Sequence, residues 1–155
     1  MKDRNRWLRL RICGIECVRV LWEGCGASAR TVTEPIELPI LIVDDDEPTL
    51  NLVRAVLKRC GYGADVASNG IEAIALLRKN DYAAIVLDMM MPHVGGPEVI
   101  AFLSANASPI PVVICSAAGP SALAGLDTTI VKAVIRKPFD IEELTSAVQG
   151  TARKS

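Results

Sequence analysis

"ILIVDDDEP", residues 40–48, joins an unbroken apolar run to three consecutive acids. Four apolar residues without polar alternation, stopped by a polar cluster, are the pattern of a short strand buried on both faces. Carboxylates about 4 Å apart repel by roughly 4 kcal/mol at an effective dielectric near 20, so a fold that crowds Asp44, Asp45 and Asp46 at a strand tip usually gains something by it. Two readings are open at this point. The run is a solvated turn in which Asp46 caps the next helix, or it is a hard-cation site, because Mg2+ takes one or two carboxylates, some water and often a phosphate oxygen.

Outward from this stretch, short apolar runs alternate with amphipathic segments, as in a parallel sheet with crossover helices. Ile40 to Val43 is the first strand. Pro48 opens a helix with Leu50, Leu52, Val53, Val56 and Leu57 at helical spacing, stopped by Gly61. A weak second strand spans residues 63–67, and a second helix, residues 70–79, turns Ile71, Ile74, Ala75 and Leu77 inward. "YAAIVLD" is the third strand and ends on Asp88. A third helix follows "MMMPHVGG", with Pro97 in its first turn and Val99, Ile100 and Leu103 facing the core. "IPVVICS" is the fourth strand, ending on Ser116, and "AAGPSALAGLDTTI" is a weak helix. "AVIRKP" is the fifth strand, and "DIEELTSAVQGTA" closes the chain as a helix with Asp140 as N-cap and Glu143 placed for a capping box. In such a sheet ligands sit beyond the carboxyl ends of the strands, where strand order reverses. Asp44, Asp45, Asp88, Ser116 and Lys137 all fall on that rim.

Composition bounds the rest. At 155 residues, 50% hydrophobic and 4% aromatic, the chain suits one domain with an aliphatic core. Residues 1–35 carry seven Lys/Arg against four Asp/Glu, and residues 36–155 carry ten against fourteen, so the globular part is acidic. Five cysteines, Cys13, Cys17, Cys25, Cys60 and Cys115, lack the spacing of a disulfide scaffold or zinc knuckle, which favours a reducing cytoplasm. No apolar stretch is long enough to span a bilayer. Residues 1–37 differ in texture and are expected to be a basic, poorly ordered extension before a domain at residues 38–152. Arg9, Arg11, Glu16 and Arg19 interrupt any signal-peptide core. Other readings of this extension are a nucleic-acid-touching arm, a docking helix carrying Trp7, Leu8, Leu10 and Ile12, or translated sequence from an over-long start.

Taken together, three carboxylates for a divalent cation and a hydroxyl and an ammonium for phosphoryl oxygens form a complementary set. Over residues 38–152 the chain resembles the receiver domains of two-component response regulators. The resemblance rests on "VDDDE" with Asp44 and Asp45, "IVLDMMMPHVGG" with Asp88, "VVICSAA" with Ser116 and "RKPF" with Lys137 and Pro138. The intervals of 43, 28 and 21 residues between Asp45, Asp88, Ser116 and Lys137 match that family. The resemblance implies a flavodoxin-like α/β domain, a doubly wound five-stranded parallel sheet of strand order 2-1-3-4-5. It implies that Asp88 accepts a phosphoryl group from a phosphohistidine of a sensor histidine kinase or histidine phosphotransfer protein. It further implies Mg2+ held by Asp45 and Asp88, by Asp44 through water and by the Met90 backbone carbonyl, with Ser116 and Lys137 on phosphoryl oxygens and a cis Lys137–Pro138 bond. His93 is expected to be an exposed loop residue.

The match thins in three places. Val134 stands three residues before Lys137, where the family commonly places a switch aromatic. Gly119, Pro120 and Gly125 weaken the fourth helix, each glycine by up to about 1 kcal/mol. Only "TARKS" follows the closing helix, which suggests a stand-alone module acting on an unidentified downstream protein, with homodimerisation open. Two rival readings are a phosphorylation-independent docking or dimerisation module and a Mg2+-dependent phosphohydrolase. Met90 occupies the place where such a hydrolase wants a second Asp, so no enzyme is expected beyond self-phosphorylation and self-dephosphorylation.

Overall fold

A computed structural model describes residues 7–9, 19–21, 38–118, 121, 123–125, 127 and 129–152. In the N-terminal extension, β1 (Trp7–Arg9) pairs antiparallel with β2 (Arg19–Leu21), Trp7 opposite Leu21. Trp7 and Leu8 therefore lie in a strand, not in the docking helix, with backbone groups paired between two strands rather than within a helical turn. The rest of the extension, including Leu10, Ile12 and the cysteines at 13, 17 and 25, falls outside the described residues.

Five parallel strands make the main sheet: β3 (Ile40–Val43), β4 (Ala64–Ala67), β5 (Ala84–Asp88), β6 (Val112–Ser116) and β7 (Val131–Arg136). Their spatial order is β4-β3-β5-β6-β7, the 2-1-3-4-5 order expected. Register is set by Ile42 opposite Val66 and Val86, Leu87 opposite Ile114, and Ile114 opposite Val134. The helices are α1 (Glu47–Arg59), α2 (Gly70–Leu77), α3 (Gly96–Ala105) and α4 (Ile141–Thr151).

Alternating side chains divide the core into two apolar layers, which is what a doubly wound sheet requires. Leu41, Val43, Ile85, Leu87, Val112 and Ile114 pack with Ala73, Val99, Ile100 and Leu103 under α2 and α3. Ile40, Ile42, Val86, Val113, Cys115 and Ile135 pack with Leu50, Val53, Leu57, Leu144 and Val148 under α1 and α4. Burying each such side chain contributes roughly 1.5–3 kcal/mol. The three central strands are buried along their whole length, whereas the edge strands β4 and β7 are only partly so.

Three details depart from the helix expectations. Ile71 and Ala75 point outward, because the inner face of α2 is set by Gly70 and Ala73. Asp140 caps α4 by position, but no side-chain hydrogen bond closes a capping box there. Between β6 and β7 the described residues form a 3-10 turn at Ser121 and Leu123 and no α-helix, with Gly125 left-handed at φ +78°. No helix among the described residues is long and apolar enough to cross a membrane.

Candidate functional site

β3 and β5 are neighbours at the point where strand order reverses, and their carboxyl ends deliver Asp44 and Asp88 side by side. Both are buried, while Asp45 is exposed. One carboxylate oxygen from each of Asp44, Asp45 and Asp88 lies within 4.8 Å of the others. Each buried acid is aimed by the backbone that follows it. Asp46 N–H donates to Asp44 Oδ1 at 2.9 Å, and Met90 N–H donates to Asp88 Oδ1 at 3.1 Å.

Asp46 takes no part in the cluster. Its side chain caps α1, accepting from the Thr49 N–H at 2.9 Å and the Thr49 hydroxyl at 2.6 Å. Those hydrogen bonds, side chain first, hold its carboxyl below the usual aspartate value. The cap reading of the acidic run is met by Asp46, while Asp44 and Asp45 contribute oxygens to the three-carboxylate cluster with Asp88.

Lys137 reaches the cluster from the end of β7. Its Nζ donates to Asp44 Oδ2 at 2.6 Å and to Asp88 Oδ2 at 2.9 Å. Burial works against the ammonium, but the hydrogen bonds to Asp44 and Asp88 and their charges overcome it and raise its pKa above 10.5. The Lys137–Pro138 bond is cis, as expected. Ser116 is fully buried at the end of β6; its Oγ accepts from Ala118 N–H at 3.2 Å, and its carbonyl accepts from Lys137 N–H at 3.1 Å. Ser116 and Lys137 are therefore fixed to one another through the backbone. Three carboxylates against one ammonium leave the pocket with a net charge of minus two when all are ionised. Oxygen donors alone with that charge suit a hard divalent cation such as Mg2+.

The loop after Asp88 is held from beneath. A Cβ on Gly96 would lie 2.7 Å from the Asp88 carbonyl oxygen, so glycine permits α3 to start directly against β5. Gly70 N–H donates to Val94 O at 3.0 Å, tying α2 to the same loop. Met89 and Met91 are buried, Met90 is 69% exposed, and His93 is exposed as expected, with φ +67°. Cys115, opposite Asp88 in the ladder, has its thiol pushed up to about 12 by burial, and is an inert core residue. The Lys137 bridge to Asp44 and the close packing of Gly70 and Gly96 were not read from the sequence.

The family model described as the response regulator receiver domain matches residues 40–149. This chain belongs to that family. The receiver domain is 34% identical over 118 residues to the response regulator MprA of Mycobacterium sp. strain KMS, covering 75% of this chain and 51% of the relative. It is 31% identical, with the same coverage, to the uncharacterized transcriptional regulatory protein YkoG of Bacillus subtilis strain 168. The chain spans about half the length of the curated relatives it matches. Among solved structures, the response regulator protein TrrA from Thermotoga maritima in complex with Mg2+-BeF has a TM-score of 0.66 at 26% identity, over 74% of this chain and 98% of that one. A CheY-like receiver domain protein from Methanospirillum hungatei JF-1 shares the fold, with a TM-score of 0.68 at 21% identity over 73% and 91% of the two chains. Receiver domains typically undergo phosphorylation with Mg2+ and interact with sensor kinases or phosphotransfer proteins.

Proposed function

We propose that this receiver domain takes a phosphoryl group onto Asp88 from the phosphohistidine of a sensor kinase or histidine phosphotransfer protein, and signals by changing a protein-binding surface. The observation that carries the reading is the end-to-end convergence of Asp88 with Asp44, Asp45 and Lys137 on one rim of the sheet. A carboxylate nucleophile has no proton to lose, so no general base is needed. One of its oxygens forms a bond to phosphorus while the bond from phosphorus to the donor imidazole nitrogen breaks, the electron pair leaving with that nitrogen. Asp45 and Asp88 would hold Mg2+ directly, with Asp44 acting through water and the Met90 carbonyl completing the protein ligands. When bound, the ion offsets the negative field that would otherwise repel a phosphoryl group. Lys137 pairs with one phosphoryl oxygen, and the Ser116 hydroxyl donates to another.

Val134 is half-buried against the core and cannot report this event by rotation of a ring. The changed surface is therefore the Ser116 loop and the β6–β7 connection, biased by new acceptor oxygens. The same residue favours a second reading, a docking module indifferent to phosphate.

Incubation with Mg2+ and acetyl phosphate, followed by intact mass, separates the readings. Addition of one phosphoryl group, abolished in Asp88→Asn, is the expected result. No adduct on a folded protein that retains a binding partner favours the docking module, and repeated turnover of unrelated phosphate esters favours a phosphohydrolase.

A further inference from the structure

Three of the chain's four methionines stand in one run, residues 89–91, immediately after Asp88. The fold treats them differently. Met89 and Met91 are 5% and 9% exposed and belong to the core layer under α2 and α3, whereas Met90 is 69% exposed, the most open large apolar side chain among the described residues. Its N–H is held by Asp88 Oδ1 at 3.1 Å, so the exposed thioether is carried by an anchored backbone two residues from Asp88. We propose that Met90 is a site of reversible oxidation by peroxides, and that the sulfoxide formed there slows phosphoryl transfer to Asp88. The second half rests on the reading of Asp88 as the acceptor.

The thioether sulfur attacks one oxygen of a peroxide: the sulfur–oxygen bond forms and the O–O bond breaks. With hydrogen peroxide, the proton of the oxygen taken up ends on the other oxygen, which leaves as water; sulfur loses two electrons and the peroxide gains them. The attack needs an open sulfur. Met89 lacks one, because its Sδ is packed against the start of α3, 2.6 Å from where a Cβ on Gly96 would lie. Oxidation turns a flexible apolar side chain into a polar one whose oxygen bears partial negative charge. On this rim the new oxygen joins Asp44, Asp45 and Asp88, whose negative field an incoming phosphoryl group already has to overcome. The hydrogen bond that aims Asp88 comes from the Met90 backbone and is left in place. A thiol-dependent methionine sulfoxide reductase restores the thioether, the oxygen leaving as water and the thiols becoming a disulfide.

The whole chain, as wild type and as Met90→Leu, is treated with hydrogen peroxide and then with dithiothreitol to return oxidised cysteines to thiols, and peptide mapping by mass follows oxygen uptake at each methionine. Met90 is expected to react about tenfold faster than Met89 or Met91, in line with their exposures, and the difference is expected to vanish in urea. The rate of phosphorylation by acetyl phosphate with Mg2+ is then compared with that of an untreated sample of the same protein. Treated wild type is expected to be slower by at least about threefold, the order of a partial negative charge brought beside a dianion, and to recover after methionine sulfoxide reductase. Treated Met90→Leu is expected to match its own untreated sample. Equal oxidation of the three methionines in the folded protein overturns the site. Selective oxidation with an unchanged rate, or an equal loss in Met90→Leu, overturns the effect on transfer. Untreated wild type that takes up no phosphoryl group overturns the acceptor reading and that effect together, while the mapping still decides the site.

Discussion

A methyl group at Gly96 would meet the Met89 sulfur at 2.6 Å and the Asp88 carbonyl oxygen at 2.7 Å, and the backbone there has nowhere to go because β5 is buried on both faces. Gly96→Ala is therefore expected to cost about 1–3 kcal/mol, the range for overpacking a well-filled interior, seen as a lower urea midpoint. Gly150 is the counterexample. Nothing lies within 4 Å of a Cβ placed on it, and it sits in the last turn of α4. Gly150→Ala is expected to stabilise by about 0.5 kcal/mol in the same assay, through backbone entropy alone. The sequence spacing that flagged Gly96 as part of a loop motif gave no hint of this difference, since crowding around a glycine is decided by residues that arrive from elsewhere in the chain.

At the scale of elements, α2 is eight residues long and depends on its ends. Asn69 Oδ1 accepts from Glu72 N–H at 2.9 Å, and Glu72 Oε2 reaches back to Ser68 N–H at 2.8 Å, so two orphan donors are satisfied at one terminus. Asn69→Ala should cost about 1 kcal/mol in chemical denaturation, the usual value of such a cap. The central strands were legible because a parallel strand covered on both faces is apolar without interruption, as in Ile40–Val43 and Val112–Ser116. The inner face of α2 was not. Ile71 and Ala75 looked like core by hydrophobicity, yet the helix phase is fixed by the close approach of Gly70 to Val94, which turns Ile71 to solvent. The segment after β6 read as a weak helix, and its glycines had already signalled the weakness that leaves the described residues there as turns.

On the scale of the whole molecule, the edge strand β4 is tied to the start of β5 by Tyr82, whose buried phenol donates to Asp65 Oδ2 at 2.9 Å. Burial, with the Asp65 bond and charge, pushes the Tyr82 pKa up from 10.0 to about 12. A raised folded-state value means that the unfolded chain loses this proton first. The stabilisation is thus fully present below about pH 10 and drains away as the pH climbs toward 12. Wild type should lose stability over that window in pH-stepped urea melts, and Tyr82→Phe should show a flatter alkaline limb from a starting point about 1 kcal/mol lower. The candidate site was legible at this scale because every member sits at a strand end, a position that periodicity locates. The Lys137 bridge to Asp44 was not, since those residues are 93 apart in the chain and only the packed sheet makes them neighbours.

Four different strands each bring one piece of the pocket, and the last piece, Lys137, arrives behind β7. A polypeptide emerging from its amino end has Asp44, Asp88 and Ser116 in hand while still lacking the ammonium that offsets their charge. Chain order thus delivers the carboxylates of the pocket before the cation that balances them, and only the completed sheet holds both.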